Sequence, residues 1–168
     1  MLDRTCFVLA LACAGCGGGE PAAVAEVAAT EGNAVTGTVR FENEGGGARV
    51  FVDVVGLDPN GVHGFHVHEN GDCSAPDGTS AGGHFNPDGH DHGLPGAEAR
   101  HAGDLGNLDA DATGEFHGDL FVDTLSVDGA LPSVVGRAVI IHAQADDGGQ
   151  PTGNAGPRLA CGVIALDE

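Results

Sequence analysis

Val35-Thr36-Gly37-Thr38-Val39-Arg40-Phe41 alternates apolar and polar side chains, the period of a strand with one face buried and the other in water. Val50, Val52 and Val54 repeat the pattern after the Gly45-Gly46-Gly47 turn. Working outward, further strands are expected at 61–69, 114–122, 137–143 and 159–166. Turns are supplied by Asp58-Pro59-Asn60-Gly61, Asp111-Ala112-Thr113-Gly114 and Asp128-Gly129. No window carries a helical period. Short strands punctuated by turns predict an all-β fold, a Greek-key antiparallel sandwich or barrel. Two stretches, 70–106 and 146–157, are too long and irregular to be plain turns, and long loops on a rigid sheet are where sites are built.

The 168 residues suit one domain, with a core drawn mainly from Val, Leu, Ile and Ala. All 6 cationic residues are Arg, against 25 Asp and Glu, for a formal charge of −19. That charge repels phosphate backbones, and the aromatic content of 4%, without Trp or Tyr, offers few stacking platforms. Nucleic acid is therefore excluded as a partner. No run approaches the roughly 18 apolar residues of a membrane span. Nine His in so acidic a chain are left unexplained by charge.

Residues 1–16, MLDRTCFVLALACAGC, carry one Arg, an apolar run from Cys6 to Ala14 and a small-residue end. They read as a short secretory signal. Ala14-Gly15-Cys16 is similar to the end of a bacterial lipoprotein signal, in which Cys16 would be lipidated; Cys13 is a competing site. A buried N-terminal helix is the alternative. Residues 17–32 have spacer composition and read as a flexible linker, leaving 33–168 as the folded domain. The protein is thus expected to be exported to the periplasm or cell envelope and held at a membrane only by this lipid. Outside the signal remain Cys73 and Cys161. In an exported domain they read as a disulfide, the alternative being two unpaired buried thiols. A bridge would close a loop worth on the order of 4–5 kcal/mol in the chain-entropy model.

His66 and His68 stand two apart, so a strand turns both imidazoles to one face and Phe65 and Val67 to the other. His84 follows two glycines, and then come His92, His101 and Asp104; His142 ends the apolar run Ala138-Val139-Ile140-Ile141. A buried imidazole there needs a partner. Imidazoles with one carboxylate suit copper and zinc, whereas an all-oxygen set would suit magnesium or calcium. Hydrogen-bonded core His is the alternative.

Four segments in order carry a resemblance: Gly64-Phe65-His66-Val67-His68, Ser80-Ala81-Gly82-Gly83-His84-Phe85-Asn86-Pro87, Arg100-His101-Ala102-Gly103-Asp104-Leu105-Gly106-Asn107, and Gly153 through Arg158 and Cys161 to Ile164. From about Ala34 to the C-terminus the chain resembles copper/zinc superoxide dismutases. The resemblance implies dismutation of superoxide to oxygen and hydrogen peroxide by alternate reduction and oxidation of a His-bound copper, with a tuning zinc that shares one His. It implies copper ligands His66, His68, His84 and His142, and zinc ligands His84, His92, His101 and Asp104, His84 being the bridge that takes a proton. Asp146, rather than Asp147, matches the carboxylate linking a copper His to a zinc His, Arg158 the substrate-guiding arginine, and Cys73–Cys161 the disulfide. Matching neighbours favour His92 over His90 as ligand. His63 is expected to hydrogen-bond structurally and His117 to lie on the surface. A homodimer is an assembly the family commonly uses.

One departure stands out. Between His142 and Arg158 there is no Lys or Arg, where better-known cytosolic members carry guiding charges; Arg100 and Arg137 are candidates to replace them. The rival readings are a copper storage or transfer lipoprotein without turnover, and an adhesive β-sandwich with incidental His.

Overall fold

The computed structural model describes residues 21–167; the expected signal, Cys13 and Cys16 lie outside the described residues. Among the described residues nine strands carry the fold: β1 (Ala22–Ala29), β2 (Thr36–Glu44), β3 (Gly47–Val55), β4 (Val62–His68), β5 (Asp104–Asp109), β6 (Glu115–Val122), β7 (Ala138–His142), β8 (Arg158–Val163) and β9 (Ala165–Leu166). Among the described residues the one helical element is a single 3-10 turn, Thr79–Ala81. Every strand pair is antiparallel, in the order β5-β4-β7-β8-β1-β2-β3-β6, with β9 on β1. The end strands β5 and β6 touch, so the sheet curls into a nearly closed Greek-key barrel, as its alternating pattern predicts.

The barrel is filled by one face of each strand: Val39 and Phe41, Val50, Val52 and Val54, Phe65 and Val67, Val139 and Ile141. Contact with both halves of the wall makes these residues the core. β4 and β7 are buried on both faces, because the two long loops cover their outer side. Ala138, Ile140 and Cys161 form a second small cluster there with Ala81, and Cys73 packs against it. The Cys73–Cys161 disulfide, with Cα atoms 5.8 Å apart, pins the first loop to β8.

Three expectations need correction. Residues 22–29, assigned to the linker 17–32, are β1, and the folded domain therefore begins before residue 33. Ala23, Ala25 and Val27 point inward, but Val24 and Ala28 on the other face are also apolar and Ala is a poor strand former, so Glu26 is all the polar contrast that marks the period. β1 is also the joint of the barrel: residues 22–27 pair with β2, whereas Ala28 and Ala29 pair with β8. The first loop ends sooner than expected, since Asp104–Gly106 opens β5. Its Gly106 (φ 90°) and Asn107 hide a strand that pairing with β4 imposes. Finally, 159–166 divides at Ile164, which leaves the β8 ladder to bond Arg137 and Gly136.

Candidate metal centre

On β4, alternation sends Phe65 and Val67 into the barrel and His66 and His68 outward, under the loops. His142 ends β7. His84 is brought alongside by a short ladder: Glu69 N–H donates to Gly83 O at 2.9 Å, and Phe85 N–H to Val67 O at 2.8 Å. Gly103 completes it, and a Cβ there would meet Val67 O at 2.2 Å, so only glycine fits. The side-chain ligand atoms of His66, His68, His84 and His142 lie within 4.8 Å of one another, as do those of His84, His92, His101 and Asp104. These are the two sets the sequence predicts, sharing His84, and all seven residues are buried.

In the second set the rings of His84, His92 and His101 stand 5.4 Å apart pairwise. Asp104 sits among their Nδ1 atoms: Oδ1 is 2.8 Å from His84 and 3.2 Å from His101, and Oδ2 is 3.0 Å from His92. His84 thus commits Nδ1 to this set and leaves Nε2 for the other.

Asp146 connects the two sets. His66 Nε2–H donates to its Oδ2 at 2.8 Å and His92 Nε2–H to its Oδ1 at 2.9 Å. Asp147 instead accepts from Gly149 N–H and Asn154 Nδ2–H. Gly153 (φ 75°) passes so close that a Cβ would sit 2.1 Å from Asp146 Oδ1. Two holders escaped the sequence reading. Asn107 clamps the Asp146 backbone, its Nδ2–H donating to the carbonyl and its Oδ1 accepting the N–H. Gln150 clamps the His92 backbone in the same two-bond manner. Their only sequence signal is an amide beside a predicted ligand or loop.

Whether these groups fit metal ions is decided by the nitrogens left over. His68 Nδ1–H donates to Gly82 O at 2.9 Å and His142 Nδ1–H to Gly156 O at 3.0 Å. The opposite nitrogens, His68 Nε2 and His142 Nε2, are buried without a partner, as is His66 Nδ1; His92 Nδ1, with its proton on Nε2, faces Asp104 Oδ2 without a hydrogen bond. Each such orphan costs about 1–3 kcal/mol, and bare imidazole nitrogens converging in one cluster are metal donors, their tautomers fixed by the outer bonds. Burial pushes His66 below its ordinary range, His68 well below it and His142 down to about 3. At neutral pH all three are therefore neutral, the form that binds metal. Burial alone would raise the carboxyls of Asp104 and Asp146, but hydrogen bonds from His84 to the first, and from His66 and His92 to the second, outweigh it and hold both low.

Arg158, opening β8, donates from Nη1 to Gly78 O at 2.5 Å and from Nη2 to Gly82 O at 2.6 Å. Gly82 O therefore serves both Arg158 and His68. Arg158 lines an open crevice of about 370 Å³ with Thr30, Glu31, Asn33, Asp77 and Thr79. Arg100 and Arg137, the expected substitutes for loop cations, are spent elsewhere: Arg100 pairs with Asp123, and Arg137 bonds Glu69 O and stacks 4.1 Å over Phe85. Among the other His, His63 is buried and donates to His142 O at 2.9 Å. His90 is exposed and in neither set; His117 lies on the surface between Asp53 and Glu115.

A family model described as copper/zinc superoxide dismutase (SODC) matches residues 35–164. Among similar curated proteins, a "Superoxide dismutase [Cu-Zn]" of Claviceps purpurea is 47% identical over 155 residues, covering 86% of this chain and 99% of that one. Proteins of the same name from Paramecium bursaria Chlorella virus 1 and Yarrowia lipolytica are 46% and 49% identical. The alignments cover 84% and 79% of this chain, and 78% and 90% of theirs.

Proposed function

The chain belongs to the copper/zinc superoxide dismutase family, and on that premise we propose which of its residues do what. Its reaction is the dismutation of superoxide: two superoxide anions and two protons yield oxygen and hydrogen peroxide. His66, His68, His84 and His142 hold copper, and His84, His92, His101 and Asp104 hold zinc. The observation that carries this reading is the convergence of buried ligand atoms into two sets, each within 4.8 Å and both sharing His84. When bound, copper supplies the one-electron couple and zinc, which has no redox chemistry, an orienting charge. Asp146 fixes the rings of His66 and His92. His84 takes up and gives back a proton at Nε2, the nitrogen that Asp104 does not claim.

Arg158 binds the substrate anion. Its charge is permanent, its fork matches a small anion, and its hydrogen-bond acceptors are carbonyls, so no ion pair cancels it. The test is Arg158→Ala with metal analysis: superoxide removal falls about ten- to a hundredfold in kcat/KM at unchanged copper and zinc. An unchanged rate at equal copper occupancy overturns the role. Storage without turnover predicts no superoxide removal by the fully loaded wild type, and the intact ligand set and arginine argue against it.

The address is proposed from sequence alone: residues 1–16 direct export, Cys16 is acylated, and the enzyme works in the periplasm or cell envelope. Labelled fatty acid incorporated by the full chain and lost in Cys16→Ser supports this; incorporation lost only in Cys13→Ser moves the anchor. Sedimentation of the same protein reads whether it forms the homodimer.

A further inference from the structure

We propose that Thr30 is a positioning residue for Arg158, an inference that rests on Arg158 binding the substrate anion. Thr30 follows β1 directly and lies outside residues 35–164, where the family model matches. It is 8% exposed. Its hydroxyl donates to the Arg158 carbonyl at 2.7 Å, and its N–H donates to Leu159 O at 3.0 Å. Asn33 Nδ2–H donates to the same hydroxyl oxygen at 2.8 Å, so the hydroxyl proton is directed at the start of β8, where Arg158 O at 2.7 Å is the nearer acceptor and Leu159 O at 3.1 Å the other.

A second route runs through the side chain. Gly78 O is one of the two carbonyls that hold the guanidinium. A Cβ built on Gly78 would come 3.3 Å from Thr30 Cγ2 and 3.4 Å from Arg158 Cδ. The Thr30 methyl and the Arg158 stem thus flank Gly78 together. Thr30 therefore holds Arg158 at its backbone and backs the loop that holds its head. All three residues border the crevice or its wall, and β1 is what delivers Thr30 there. The role follows from constraint: a guanidinium held in one place loses less freedom when it meets an anion.

The probe is azide, a small monoanion, titrated against the copper- and zinc-loaded protein and read by the visible spectrum of copper(II), alongside kcat/KM for superoxide. Thr30→Val keeps the methyl and removes the hydroxyl. It is expected to weaken azide about fivefold and lower kcat/KM by a similar factor, the value of one hydrogen bond, at unchanged metal content. Thr30→Ser restores the hydroxyl and most of the affinity. Asn33→Ala, at an exposed position where folding is tolerant, shifts azide affinity the same way by about twofold. In the Arg158→Ala background Thr30→Val is expected to have no further effect. An equal loss in both backgrounds marks a general structural role and overturns the inference, as does a Ser variant as weak as Val. If Arg158→Ala weakens azide and Thr30→Val does not, the Thr30 inference alone falls. If Arg158→Ala leaves azide unaffected, the reading of Arg158 falls first.

Discussion

Ala25→Asp decides whether β1 is core or tether. Ala25 is fully buried, faces the barrel interior and pairs with Val39 of β2. An introduced carboxyl at that point has no cation in reach: Val27, Val39 and Phe41 are apolar, and all belong to the core around it. An unpaired buried charge costs about 3–5 kcal/mol, and protonating it instead still leaves a polar group without a partner. Domains of this size have about 5–15 kcal/mol in total, and each kcal/mol moves the thermal midpoint by about 2–4 °C. The midpoint of the variant should therefore fall by roughly 10 °C or more, with part of the loss recovered as the pH drops and the carboxyl is neutralised. Ala28→Asp is the control. It lies on the same strand but points to solvent, where such changes stay within about 1 kcal/mol. Thermal unfolding of both metal-free proteins, followed by circular dichroism with the disulfide intact, reads the difference. Equal midpoints would place β1 outside the cooperative fold and refute the reasoning.

Three further outcomes follow from the site. Asp146→Asn, which leaves one ring nitrogen without its acceptor, should weaken copper and zinc about 10- to 100-fold in chelator competition; unchanged affinity for both would deny Asp146 its orienting role. The metal-free protein should lose stability as pH falls from about 6.5 towards 3. His142 is held at about 3 in the fold against an ordinary 6.5, so the unfolded chain takes the proton first, and the slope is about 1.4 kcal/mol per pH unit inside that window. Denaturant titrations at pH 7 and 4.5 measure it, and a flat profile would show that His142 is not buried as described. The rate should depend only modestly on salt, because Arg100 is ion-paired and the crevice carries Glu31 and Asp77 beside Arg158; a steep fall with added salt would reveal an attractive field from elsewhere.

What was legible in the sequence was whatever local chemistry made periodic. β2, β3 and β4 announce themselves because Val, Phe and His alternate with contrasting neighbours. The ligand set was legible because His66 and His68 share a strand face and the other motifs resemble a known family. β1 was illegible for the opposite reason: Ala23, Ala25 and Val27 alternate with Val24, Glu26 and Ala28, of which only Glu26 is polar, so a single residue distinguishes outward from inward. β5 was hidden by Gly106 and Asn107, whose strand conformation comes from β4 and not from their own preference. Second contacts such as Gln150 on His92 depend on two loops meeting, which no spacing encodes.

The missed strand and the charge problem have a common answer. An anionic protein that handles an anion must concentrate its attraction, since its net field repels. Of the arginines described, Arg40, Arg49 and Arg100 are neutralised by carboxylates and Arg137 is turned onto Phe85 and the Glu69 carbonyl. Arg158 alone among them neither pairs with a carboxylate nor stacks on a ring; it lines the crevice, and its head is held by Gly78 O, which also accepts from Ala81 N–H, and by Gly82 O, which also accepts from His68. A single short-range cation is effective only if its place is fixed. That place is set by the disulfide-pinned first loop on one side and by Thr30 on the other. The strand that looks like a tether is thus the element that brings Thr30 to the arginine, and shortening the protein to begin at Gly32 would remove both.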